Sequence, residues 1–78
     1  MQEILKKIID LLNSDHLSEA FDLCENSKDK KIDHILANIK GIILFKQNKF
    51  EQAKVEFLKS IELDETFIDP YKNLFKLN

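Results

Sequence analysis

The sequence predicts an all-α chain of antiparallel helix-turn-helix repeats, about five helices in all. Three observations lead there. Apolar residues recur at i, i+3, i+4 and i+7 through most of the 78 residues, which places them on one face of a helix. The chain also matches itself when displaced by 33 residues: Lys7 falls on Lys40, Ile9 on Ile42, Leu11 on Leu44, Ala20 on Ala53 and Ser27 on Ser60. Finally, the breaks keep the same register, with Asp15 falling on Asn48 and Leu17 on Phe50. Repeats of about this period stack into solenoids that offer a surface.

The first helix is expected from about Gln2 to Leu12, with Ile4, Ile8 and Leu11 on one stripe and Leu5, Ile9 and Leu12 on its neighbour. Asn13-Ser-Asp-His16 ends it, since these side chains hydrogen-bond locally and favour turns. Leu17, Ala20, Phe21 and Cys24 form the apolar stripe of the second helix, and polar Asn26 to Lys31 forms the loop between repeats. The third helix, about Asp33 to Lys46, carries Leu36, Ile39 and Ile43 on one stripe and Ile35, Ile42 and Phe45 on another. Gln47-Asn48 is a turn, with Asn48 suited to the left-handed conformation. The fourth helix is expected to turn Phe50, Ala53, Phe57 and Ile61 inward and Glu51, Lys54, Glu56, Lys59 and Glu62 outward, the latter in weak pairs of ~0.2–0.5 kcal/mol. Asp69-Pro70 opens a fifth helix, because aspartate caps free amides and proline at the first position loses no needed hydrogen bond. Tyr71, Leu74 and Phe75 are expected on one side of it.

The chain is read as one domain: repeat 1 over about 1–33, repeat 2 over about 34–67 and a capping helix over about 69–78. Met1 at one end and the capping helix at the other are what a complete module would carry. A unit this short buries only ~60% of the surface its unfolded chain exposes, so the helices must pack closely. All 12 basic residues are lysine, and the net charge is −2. Arginine supplies the planar fork that reads phosphate and base edges, so its absence argues against a nucleic-acid partner. Cys24 is the one cysteine, which rules out an intramolecular disulfide and fits a reducing, cytoplasmic setting. Acids near the start fit neither a secretory signal nor a membrane span.

These residues resemble the tetratricopeptide repeat, a helix-turn-helix unit of 34 residues. In repeat 2, Gly41 stands at the family's small position, Leu44 at the large apolar position after it, Phe50 at the residue that opens the second helix and Ala53 at the helix crossing. Phe57 matches the next aromatic, Ser60 a further small position, and Ile61-Glu-Leu-Asp64 the usual close. Small residues at a crossing let two backbones approach while large ones fill the space beyond. Ala37 stands where the family often has tryptophan and Glu65 where it often has proline. Repeat 1 departs further, with Ile8 at the small position and Cys24 at the aromatic one.

The resemblance implies an α-α superhelix whose first helices line a concave groove. Carried over by position, the groove holds Leu5, Ile9, Leu12, Asn38, Ile42 and Phe45. Such a groove is apolar and suits a hydrophobic peptide or amphipathic helix, with Lys46, Lys72 and Lys76 at its edges to steer acidic flanks. The carboxylate clamp of chaperone-binding members is not expected, because Leu5, Ile9 and Ile39 stand at its positions. The function expected is therefore a non-catalytic protein-interaction scaffold. The alternative is homodimerisation through the wide apolar arc of the first helix. No enzyme, cofactor, metal or membrane role is expected. His16 and His34 read as solvated surface residues, Cys24 as a buried inert thiol, and Asp10, Asp15 and His16 lack a metal-ligand spacing. Gly41 is the one glycine, so there is no phosphate-binding loop.

Overall fold

The computed structural model describes residues 3–77. Its helices are α1 (Glu3–Asn13), α2 (Leu17–Asn26), α3 (Asp33–Lys46), α4 (Phe50–Leu63) and α5 (Asp69–Leu77), and no strand occurs among the described residues. The expected start of the first helix at Gln2 and the end of the last at Asn78 lie outside the described residues.

The all-α class follows from two helical hairpins that close in the same way. At the end of α1, Asp15 takes φ 62°; its N–H donates to the Leu12 carbonyl and the His16 N–H reaches back to Leu11. At the end of α3, Asn48 takes φ 63°; its N–H donates to Phe45 and the Lys49 N–H reaches back to Leu44. Each pair of bonds is a Schellman closure, which satisfies helix-end carbonyls and requires a left-handed residue at its apex. The two apices are the residues that the self-match superimposes. Four residues on from His16 and from Lys49, Ala20 and Ala53 accept no solvent at all. Both alanines stand where the second helix of a hairpin meets the first, and the lack of a longer side chain permits close approach.

The hairpins share their closure but divide their core volume differently. In the second, Gly41 faces the buried Phe57 ring. The matching places in the first hold Ile8 and Cys24, both buried in one cluster with Ala20, Ile32, Leu36, Ile39 and Ile43. A large residue thus stands on the first helix in one hairpin and on the second helix in the other. Because protein interiors are close-packed, either arrangement fills its space only as a matched pair.

α3 is the central helix. It packs most extensively on α4 and also meets α2 and α5, so Leu36 to Gly41, Ile43 and Leu44 are all buried. A helix apolar around its circumference is one enclosed on several sides.

Three expected orientations differ in the structure. Phe50 is 46% exposed; instead of entering the core it sets its ring edge on Phe45, with centroids 5.4 Å apart. Ala53 and Phe57 already fill the space between α3 and α4. On α5, Pro70, Leu74 and Leu77 turn inward, the last two against the cluster of Leu44, Ala53 and Phe57. Tyr71 and Phe75 face outward, because α5 is the last described helix and meets α4 and α3 from one side only. Glu56 is half-buried and aims at Lys40 instead of joining the solvated charges of α4.

Candidate functional site

A cleft of about 250 Å³ opens between α3 and α5, lined by Ile42, Phe45, Lys46, Phe57, Asn73 and Lys76. It continues along α3 past Asn38, Asp69 and Lys72, with Ile42, Asn73 and Lys76 common to both stretches. Helical spacing builds both walls. Asn38, Ile42, Phe45 and Lys46 fall at i, i+4, i+7 and i+8 on α3, while Asp69, Lys72, Asn73 and Lys76 fall at i, i+3, i+4 and i+7 on α5. The Asn73 side-chain amide donates to Asn38 Oδ1 at 2.9 Å and ties the walls together at the base. A buried amide needs such a partner.

The lining has apolar walls with a cationic rim. Three lysines stand against one acid, Asp69, in a chain whose net charge is −2. Of the residues placed on the groove by sequence, Ile42 and Phe45 line this cleft, and Asn38 lies buried along its continuation. Leu5 and Leu12 are half-buried against the core cluster of the first hairpin, and Ile9 is half-buried on α1. The edge lysines Lys46, Lys72 and Lys76 all border the α3–α5 cleft.

A second cleft lies at the junction of α2, α3 and α4, bordered by Cys24, Glu25, Lys40 and Lys59 among others. Lys40 is only 7% exposed. Its ammonium donates to Glu25 Oε2 at 2.6 Å, lies 3.6 Å from Glu56 Oε1 and sits 5.9 Å above the centre of the Phe21 ring. At 3.6 Å the Glu56 contact is coulombic, not a hydrogen bond, and that buried oxygen has no hydrogen-bond partner among the described residues. Burial opposes the charge on Lys40, yet the two glutamates outweigh it and hold the ammonium above its ordinary pKa. The Lys40 hydrogen bond, with its charge, holds Glu25 below the usual carboxylate value. Lys40 thus joins α2, α3 and α4. The sequence offers one signal for this, a lysine inside an otherwise apolar helix, which needs an acid partner.

Cys24 is buried and unpaired, and desolvation pushes its thiol up to about 11. Such a group is a weak nucleophile. His16 lies on the surface beside Glu19. His34, expected on the surface, is instead enclosed: its side chain is 19% exposed and lies 3.7 Å from Asp64, with Phe67 edge-on at 5.1 Å. The loop after α4 folds back over the start of α3 and covers it. Among the described residues no group of three His, Cys, Asp or Glu is placed to hold a metal ion, and no helix is long and apolar enough to cross a membrane.

No family model, no curated protein and no solved structure matches the chain.

Proposed function

We propose that this chain is a non-catalytic protein-interaction module that takes an apolar peptide, or one face of an amphipathic helix, in the cleft between α3 and α5. The observation that carries this reading is the lining: Ile42 and Phe45 form an apolar wall while Lys46, Lys72 and Lys76 rim it. Apolar contact supplies the attraction and the lysines favour ligands with acidic flanks, a division seen where helices dock into grooves. The resemblance of repeat 2 to the tetratricopeptide repeat supports the same assignment, since the first helices of that family line its peptide groove.

Titration with a peptide library, followed by fluorescence anisotropy, tests the reading. Peptides with apolar centres and flanking Asp or Glu should be selected, and their affinity should fall as salt is raised. Ile42→Glu should abolish capture, and Lys46→Glu should weaken the acid-flanked peptides more than neutral ones. Capture that survives Ile42→Glu, or a library without a single binder, would overturn it.

A further inference from the structure

The charges on the α3–α5 cleft are not spread evenly along it. The stretch around Phe45 carries Lys46 and Lys76 and no acid. The stretch around Asn38 carries Asp69, Lys72 and the same Lys76. Lys46 stands in the last turn of α3 and Lys76 in the last turn of α5, while Asp69 stands in the first turn of α5. The cationic end of the cleft therefore lies where the two helices finish, and its one acid lies where α5 begins. From Asp69 to Lys76 is about 10 Å along a helix. That is about one Debye length at physiological salt, so a charge on a ligand responds mainly to the end at which it sits.

We infer that the cleft takes a peptide segment acidic at one end only, with that acid over Lys46 and Lys76. The inference rests on the peptide-binding reading of the cleft and adds a polarity to it. Two lysines without a counter-charge attract a carboxylate side chain at the first end. At the second end Asp69 and Lys72, neighbours at i, i+3 on α5, leave no net charge between them. Lys76 borders both stretches, so the bias comes from Lys46 at one end and Asp69 at the other. Nor does the backbone at the second end draw an anion. Pro70 has no N–H, and the Tyr71 N–H already donates to the Ile68 carbonyl, so the start of α5 has few free amides to offer. Ile42 lines both stretches, which sets the apolar part of the ligand across the junction and its two flanks on unlike charge. Asn38 to Lys46 covers about 12 Å of α3, or about two helical turns of ligand.

Four acetylated and amidated peptides test the inference. They share the apolar centre of the tightest library binder and carry a Glu pair at neither flank, the N-terminal flank, the C-terminal flank or both. One single-flank peptide should bind about two- to fivefold tighter than the neutral peptide, the gain expected of exposed charge pairs. The other should bind like the neutral peptide, and the doubly flanked one no tighter than the better single. Lys46→Gln should erase the gain; if it reduces the helical circular-dichroism signal, Lys76→Gln is read in its place. Asp69→Asn, which keeps a capping side chain, should let the second acid contribute about twofold and leave the neutral peptide unchanged. A library without a binder would remove the cleft reading and this inference with it. Equal gains at both flanks, a gain that survives the lysine substitution, or a second flank indifferent to Asp69→Asn would overturn the inference alone.

Discussion

A Cβ atom on residue 41 would stand 2.6 Å from Cδ1 of Phe57 and 2.9 Å from its Cζ. The Phe57 ring therefore occupies the space that any side chain at 41 would need. Gly41 has helical backbone angles, so its role here is steric: it lets an aromatic ring from α4 rest on the backbone of α3. This contact gives the second hairpin its core.

Gly41→Ala should destabilise the chain by up to about 2 kcal/mol. Overpacking a filled core costs about 1–3 kcal/mol, against which alanine returns about 1 kcal/mol of helix propensity. Phe57 is 1% exposed, and the space its ring could shift into is the α3–α5 cleft that it lines. Urea denaturation measures the change, and Phe57→Leu in the Gly41→Ala background should cost less than the separate losses combined. A raised midpoint for Gly41→Ala would show that the ring moves freely.

Asp15→Gly should stabilise the chain by about 1 kcal/mol and Asn48→Gly by less, because both residues hold a left-handed backbone that glycine adopts without strain. Aspartate stands worse placed than asparagine, since its charge faces the negative end of the α1 dipole. Paired urea curves decide it. Equal gains would mean that the charge at position 15 is immaterial.

Lys40→Met should flatten the acid limb of the stability profile. Glu25 is held below its ordinary value by Lys40, so its contribution is complete above the ordinary carboxylate range and is lost as pH falls through the depressed value. Lys40 is held above its ordinary value, so its contribution is complete below the ordinary lysine range and is lost as pH rises through the raised value. Near neutral pH the substitution should cost about 1–3 kcal/mol, less than for a fully buried pair because Glu25 is half in water. Denaturation midpoints taken from neutral to acid pH read this directly. An acid limb unchanged in Lys40→Met would assign it to other carboxylates.

What the sequence made legible was what local chemistry dictates. Asp15 and Asn48 announce their turns because few residues tolerate that backbone, and Ala20 and Ala53 announce the crossings because nothing larger fits. Ile42 and Phe45 could be placed beside Lys46 and Lys76 from helical spacing and family likeness. The inward side of α5 was not legible: Tyr71, Leu74 and Phe75 are all apolar, and only contact with α4 chooses Leu74 over the other two. The partners of Lys40 were not legible either: its place in an apolar helix calls for an acid, but Glu25 and Glu56 reach it from helices 15 and 16 residues away in the chain. The same holds for His34, whose enclosure depends on where the loop after α4 folds.

The opposite partition of bulk in the two hairpins has a consequence for how a self-similar chain avoids folding errors. If α1 paired with α4 by mistake, Ile8 would collide with Phe57; if α3 paired with α2, Gly41 would face Cys24 across a void. Each wrong coupling is penalised by crowding or by emptiness, so the helices are keyed to their own mates although their turns are interchangeable.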